Sequence, residues 1–246
     1  MRRRLNKVFS FFILVFLTFS SIFLIWAYTP LKASTDAKKY LNANDIKVTI
    51  ERNGDTVLEP IEKMKSGKDF VGVVFYPGGH VEHLAYLPLG YLLAKKGITT
   101  VILKVPLNLA FLRINGARKY IEDFGNLRWY VAGHSLGGVA ASEYAYKNQK
   151  DVAGLILLAS YPARDMSNMK IPVLSIFGSN DGRFEQIQEK KVLLNKNTVY
   201  YLIKGGNHSQ FGDYGFQKGD GKASISRQEQ LDETIKAIYE FIFSKD

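Results

Sequence analysis

The chain opens with one long apolar stretch and then changes to short apolar runs separated by polar and glycine-rich segments. Residues 8–28 contain no charged residue, whereas residues 1–7 hold four positive charges. At a rise of about 1.5 Å per residue, a helix of this length spans about 30 Å, the thickness of a bilayer core. The pattern therefore predicts a transmembrane helix over residues 8–28.

The residues that flank this segment predict its orientation. The basic cluster favours a cytoplasmic N-terminus, and Trp26 and Tyr28 are aromatic residues suited to the far interface. The rest of the chain would then lie outside the cytoplasm as a membrane-anchored domain. Residues 29–45 are small and polar, and we predict that they form a tether.

A cleaved signal peptide, followed by secretion, is the alternative for the N-terminal segment. Signal peptides have a shorter apolar region, about 7–15 residues, and a cleavage site of the small-x-small type. Ala33 offers only a weak site, because the bulky Leu31 lies two positions before it. The length favours an uncleaved signal anchor.

Beyond the tether, apolar runs with the pattern of strands alternate with segments of helical spacing. The strand-like runs are residues 69–79, 98–106, 128–135, 152–160, 171–181 and 198–208. The helix-like segments are residues 82–97, 110–125, 136–149, 183–196 and 226–245. Before them, residues 46–60 predict a hairpin that turns at Asn53-Gly54. This alternation predicts one α/β domain over residues 46–246, built on a mostly parallel, doubly wound sheet.

A serine between glycines follows one of these strands. Gly133, Ser135 and Gly137 fit the pattern G-x-S-x-G, with a predicted strand before it and a predicted helix after it. In that context a sharp turn exposes the serine hydroxyl, and the glycines prevent collisions with the neighbouring strand and helix. Open parallel sheets carry their chemistry at the carboxyl ends of the strands. We therefore predict that Ser135 is a nucleophile; the alternative is a serine in a tight turn.

A serine hydroxyl needs a base, and the chain has four histidines. His80 and His83 come before Ser135, too early for the expected order of serine, acid and histidine. His134 is next to the serine, and its place in the turn directs it elsewhere. His208 follows the last predicted strand, and we predict that it is the base.

An acid and two backbone donors complete the predicted site. Asp181 ends a predicted strand between the serine and the histidine, and Glu185 is the fallback acid. The oxyanion of an acyl-transfer intermediate needs N–H donors, one from the residue after the nucleophile and one from the loop after the first core strand. These are Leu136 and Gly79, with His80 as the alternative to Gly79.

The connection between the last strand and the last helix, residues 205–223, is long and rich in glycine. Such long loops are more often functional than short ones. We predict that Gln210, Phe211 and Tyr214, together with His80, shape the substrate pocket. The short connection before residue 171 leaves no room for a large helical lid.

The amino-acid composition limits which kinds of partner and cofactor we expect the protein to bind. The net charge is +10, of which +6 lies beyond the basic N-terminus without a tight Lys/Arg block, so nucleic acid is not an expected partner. The absence of cysteine excludes disulfides and thiol catalysis. Asp213 and Asp220 do not have the spacing of a calcium-binding loop, and we predict no metal and no cofactor.

Several segments resemble a known family. They are FYPGGHVEHLAYLPL (75–89), VAGHSLGGVAA (131–141), LLASYPA (157–163), LSIFGSNDG (174–182) and GGNHSQFGDYG (205–215). Together they resemble the α/β-hydrolase superfamily, and more narrowly the "α/β-hydrolase fold-5" family, which is related to dienelactone-hydrolase-like proteins. The resemblance covers residues 70–244 and implies that Ser135, Asp181 and His208 are a catalytic triad. Dienelactone hydrolases proper use a cysteine nucleophile, which this chain lacks, so their substrate is not implied.

These observations predict a membrane-anchored, extracytoplasmic serine hydrolase, similar to carboxylesterases, that acts on a small or lipid-like ester. The same three residues would also serve acyl transfer to another alcohol or amine. A non-catalytic binding module on a hydrolase scaffold is the third hypothesis, since a fold does not fix a function.

Overall fold

In this computed structural model, which describes residues 2–61 and 70–243, eight strands form one sheet. The strands are β1 (Ile46–Ile50), β2 (Thr56–Pro60), β3 (Val71–Tyr76), β4 (Ile98–Ile102), β5 (Arg128–His134), β6 (Gly154–Leu158), β7 (Val173–Gly178) and β8 (Val199–Ile203). Their order across the sheet is β1-β2-β4-β3-β5-β6-β7-β8. Strands β3 to β8 pair in parallel, and β1 and β2 form an antiparallel hairpin at one edge. The predicted mostly parallel sheet is confirmed.

Helices cover both faces of the sheet. The helices of the described ranges are α1 (Arg2–Tyr28), α2 (Thr35–Lys39), α3 (Leu87–Lys95), α4 (Arg118–Asp123), α5 (Leu136–Lys147), α6 (Phe184–Lys190) and α7 (Arg227–Phe243). All except α1 contribute residues to the two apolar cores. Side chains alternate between the faces of a strand. In β3, Val73 and Phe75 accordingly join the core beneath α3 and α7, whereas Val74 and Tyr76 join the core beneath α4 and α5. Burial on both faces explains why the strands are apolar at successive positions.

Several local predictions differ from the structure in detail. The segment 110–125, expected to be one helix, is a 3₁₀ segment (Ala110–Ala117) broken at Arg113, and only α4 continues as an α-helix. Pro88 lies at the start of α3, where its missing N–H costs no hydrogen bond, although the helix-like spacing predicted a helix that began earlier, at residue 82. The hairpin loop covers residues 51–55 and is longer than the two residues predicted, although Gly54 does have a positive φ of 84°.

The N-terminal helix α1 is exposed along most of its described side chains. Its stretch Phe9–Tyr28 is long and apolar enough to cross a membrane, a property that a signal sequence near the N-terminus would share.

The segment 29–45, expected to be a tether, is packed against the domain. Leu31 forms a parallel bridge with Val81, and the backbone N–H of Ser34 donates to the carbonyl oxygen of Asp213 at 2.8 Å. Ala37 in α2 is fully buried. Small, polar residues were compatible with a linker, but here they let the backbone approach the domain and hydrogen-bond to it.

A buried carboxylate fixes the hairpin loop to the segment that precedes α4. The side chain of Asp55 is fully buried and accepts hydrogen bonds from Nη1 and Nη2 of Arg113, at 2.5 and 2.8 Å. The hydroxyl of Tyr120 and the backbone N–H of Lys104 also donate to it, at 2.6 and 2.7 Å. These bonds compensate the carboxylate for its lost hydration.

Replacing Asp55 with alanine should therefore destabilise the protein strongly, because the Arg113 guanidinium and the Tyr120 hydroxyl would lose their partner. Breaking a largely buried ion pair costs about 3 kcal/mol. Denaturant unfolding of the Asp55→Ala variant should show this loss, whereas Asp151→Ala, at an exposed position, should unfold like the wild type. Equal stability of the two variants would contradict the role assigned to Asp55.

Candidate active site

The serine predicted as nucleophile lies in a strained turn between β5 and α5. Ser135 has φ 52° and ψ −123°, a conformation that L-residues rarely adopt. A Cβ atom on Gly133 would lie 2.3 Å from the backbone of Gly137, and one on Gly137 would lie 2.1 Å from the carbonyl oxygen of Tyr76. The two glycines are therefore required by the close approach of the strand and the helix.

The Ser135 hydroxyl has a charged neighbour that the sequence did not reveal. Arg183 Nη1 donates a hydrogen bond to Ser135 Oγ at 3.0 Å. Arg183 follows the predicted acid by two positions, and its backbone N–H donates to Asp181 Oδ1 at 2.7 Å. Nothing in the local pattern marks this arginine, because its contact with the serine depends on how two separate strand ends meet.

The predicted base and acid form a buried pair. His208 Nδ1 lies 3.1 Å from Asp181 Oδ2, and both side chains are almost fully buried. Since a carboxylate oxygen accepts, the hydrogen belongs on Nδ1, which leaves the lone pair on Nε2. Nε2 is buried and has no hydrogen-bond partner among the described residues. Glu185, the fallback acid, is exposed in the first turn of α6.

The two residues predicted to provide oxyanion donors, Gly79 and Leu136, are neighbours in the structure. A Cβ atom on Gly79 would be 2.8 Å from Leu136 Cδ2, so the two predicted donor residues are in contact. The neighbours of Gly79 are already engaged: the N–H of Gly78 donates to the Tyr86 hydroxyl and that of His80 donates to the Asn108 carbonyl. Within the described ranges the N–H groups of Gly79 and Leu136 have no acceptor, which favours Gly79 over His80.

His134 has a supporting position beneath the candidate site. Its Nδ1 forms a hydrogen bond of 2.8 Å with the Tyr86 hydroxyl, which also accepts from the N–H of Gly78. Burial, together with the nearby His208 and Arg183, lowers the pKa of His134 well below its usual value. The ring is neutral and helps to hold the loop that carries Gly79.

Asp220 ties the glycine-rich loop to both halves of the His–Asp pair. Its Oδ1 accepts from the N–H groups of Gly182 and His208, at 3.0 and 3.2 Å, and its Oδ2 accepts from the N–H and hydroxyl of Ser209, at 2.7 and 2.6 Å. Burial raises the pKa of this carboxyl, but the hydrogen bonds from Ser209, Gly182 and His208 outweigh it and leave the pKa below its usual value. The other loop aspartate, Asp213, forms an ion pair with Arg227.

The structure separates the predicted pocket residues: His80 packs against Trp26 of α1, whereas Phe211 and Tyr214 lie near His134. Phe211 and Tyr214 are buried, with ring centroids 5.8 and 6.4 Å from that of His134. Gln210 donates to the Ile225 carbonyl at 3.1 Å. A separate cavity of about 270 Å³ opens beside His208. The residues that line it are Asp181, Gly182, Arg183, His208, Gln217, Lys218, Gly219 and Asp220.

A serine on a strand–turn–helix elbow, carried by an eight-stranded and mostly parallel sheet, defines an α/β-hydrolase fold. The chain belongs to the alpha/beta hydrolase family, whose family model matches residues 72–232. This confirms the resemblance seen in the sequence motifs. Among curated proteins no match to the chain is found.

Solved structures show the same fold. A dienelactone hydrolase from Anabaena variabilis matches with a TM-score of 0.57 and 15% identity, over 80% of this chain and 99% of that one. The carboxylesterase CesB from Bacillus subtilis matches with a TM-score of 0.56 and 11% identity, over 85% of this chain and 96% of that one. At these identities the likeness concerns the fold, and the neighbours are hydrolases.

The role of Asp220 leads to a pH-dependent prediction. A carboxyl with a lowered pKa in the folded state stabilises the protein above the unfolded pKa of about 3.9, and this contribution is lost as the pH falls further. Asp220→Asn should therefore lower the free energy of unfolding by about 1–2 kcal/mol at neutral pH. The difference from wild type should shrink below about pH 4.

Denaturant unfolding at a series of pH values measures this effect. Asp123→Asn, at an exposed position on α4, is the matched control and should follow the wild type throughout. If the difference in stability between Asp220→Asn and wild type does not depend on pH, the ionised Asp220 carboxylate does not stabilise the loop as we predict.

Proposed function

We propose that the protein is a membrane-anchored, extracytoplasmic serine hydrolase that cleaves a carboxylic ester. The observation that carries the proposal is the buried His208–Asp181 pair at 3.1 Å, at the same edge of the sheet as the strained Ser135. Burial and a fixed tautomer are what a histidine needs to act as a general base. The hydrolase neighbours support the reaction class, and α1 with its basic head supports the anchor.

In the proposed reaction, Ser135 Oγ attacks the ester carbonyl carbon while His208 Nε2 takes the hydroxyl proton. Asp181 holds the ring through Nδ1 and stabilises the imidazolium that forms. The N–H groups of Gly79 and Leu136 donate to the oxyanion of the tetrahedral intermediate. His208 then returns the proton to the leaving alkoxide, and the acyl group stays on Oγ. Water attacks the acyl-enzyme in the same way and releases the acid.

Arg183 fits this reaction as a neighbour of the nucleophile. A hydroxyl accepts and donates at the same time. The hydrogen bond from Arg183 to Ser135 Oγ therefore leaves the hydroxyl hydrogen free. The structure shows no hydrogen bond between Ser135 Oγ and His208 Nε2, so the two groups must approach each other before the proton is transferred. The guanidinium charge favours negative charge on Oγ as the proton leaves, since hydrogen bonds between charged groups are the stronger ones.

A fluorophosphonate probe tests the nucleophile directly, because it reacts with activated serines. The wild-type chain should be labelled, and Ser135→Ala should not. His208→Ala should lower labelling by orders of magnitude, since a lone serine hydroxyl is a weak nucleophile. Ser167→Ala, at an exposed position away from the elbow, should be labelled like the wild type. The proposal fails if the Ser135→Ala protein is still labelled, or if the folded wild type cleaves neither a short-chain nor a long-chain ester.

A further inference from the structure

The C-terminal end of α1 is packed against the loop that follows β3. The Trp26 ring stacks on the His80 ring, with centroids 4.3 Å apart and planes 8° from parallel. His80 Nε2 donates to the carbonyl oxygen of Trp26 at 2.6 Å, and Asn108 Nδ2 donates to that of Ala27 at 2.9 Å. Ala27 is fully buried. Side chains of the domain thus donate hydrogen bonds to carbonyl oxygens at the end of the helix, which have no partner within the helix itself.

The connection between α1 and the domain is short and hydrogen-bonded. The N–H of Leu31 donates to the His80 carbonyl and the N–H of Glu82 donates to the Leu31 carbonyl, both at 2.9 Å. The helix ends at Tyr28, so only Thr29 and Pro30 separate it from this bridge. Proline restricts the backbone further. The direction of α1 relative to the domain is therefore fixed by contacts on both sides of the connection.

This junction lies beside the candidate active site. His80 is the neighbour of Gly79, which contacts Leu136, the residue after Ser135. A membrane that holds α1 must then come close to the carboxyl-end edge of the sheet, where the site opens.

Exposed apolar side chains lie next to the junction. Phe111 and Leu112 are 48% and 47% exposed, and they follow Asn108 by only a few residues. Large apolar side chains exposed beside the end of a membrane helix match the environment of the bilayer interface. Val192 is more exposed, at 77%, but it lies in the 3₁₀ turn after α6, towards the amino-end edge of the sheet. It provides a matched position that faces away from the proposed membrane.

We propose that the carboxyl-end face of the domain, with Phe111 and Leu112 at its rim, rests on the membrane that holds α1, and that the substrate is an ester that enters the site from this membrane. The part concerning the substrate rests on the proposed function. The part concerning the membrane face does not, since it follows from the docking of α1 on His80 and Asn108.

The lack of cysteine makes the membrane face directly measurable. In the full chain, reconstituted in phosphatidylcholine vesicles, Phe111→Cys, Leu112→Cys and Val192→Cys each accept one environment-sensitive NBD fluorophore. Labels at 111 and 112 should emit at shorter wavelength and be quenched by spin-labelled lipid, whereas the label at 192 should behave as in water. Equal exposure of the three labels would overturn the proposal, as would the loss of α1 from the mature protein by intact mass.

Two esters test the substrate. For the same vesicles we expect Leu112→Ser to lower hydrolysis of a long-chain ester dissolved in the bilayer by about fivefold, since it removes an apolar interfacial anchor. Hydrolysis of water-soluble p-nitrophenyl acetate should be unchanged, and Val192→Ser should change neither rate. Equal rates of the bilayer ester for the two variants would refute entry from the membrane. If neither ester is cleaved by the wild type, the proposed function fails, while the NBD result still decides the membrane face.

Discussion

The close approach of α5 to the end of β3 is the constraint on which the candidate site depends. Gly137 lies so near the carbonyl oxygens of Tyr76 and Pro77 that a methyl group on it would overlap both. This contact forces Ser135 into its positive φ, because the chain must leave β5 and enter the helix within one residue. It also brings Leu136 against Gly79, so that Ser135 and both candidate donor residues are positioned by one packing interaction.

Backbone strain is concentrated at this edge of the sheet. His80, Ser135 and Ala159 have positive φ, and they follow β3, β5 and β6 respectively. Each N–H is tied to a neighbouring segment: His80 to Asn108, Ser135 to Leu158 and Ala159 to Ile176. Such strain persists only where the surroundings over-determine it. The apolar cores on both faces of the sheet provide this support, so the candidate site lies on a rigid edge.

The sequence predicted what depends on local pattern. The parallel sheet followed from the apolar runs, and the positions of Ser135, Asp181 and His208 followed from their places at strand ends. We did not predict the contacts that Arg183, Tyr86 and Asp220 make at the candidate site, because each contacts a residue far along the chain. Asp220 had a partial signal: it lies between Gly219 and Gly221, and Gly221 approaches Asn180 too closely for any side chain. The packing of residues 29–45 was also missed, since backbone hydrogen bonds leave no trace in composition.

The packing of residues 29–45 restricts how the domain is placed relative to α1. A free linker of 17 residues would let the domain move over about 20–25 Å relative to the end of α1. Here the hydrogen bonds of Leu31 and Ser34 and the stacking of Trp26 on His80 remove that freedom. The same His80 is the neighbour of Gly79 in the loop beside Ser135. The contact that orients the domain on the helix therefore lies one residue from Gly79, a predicted donor of the candidate site.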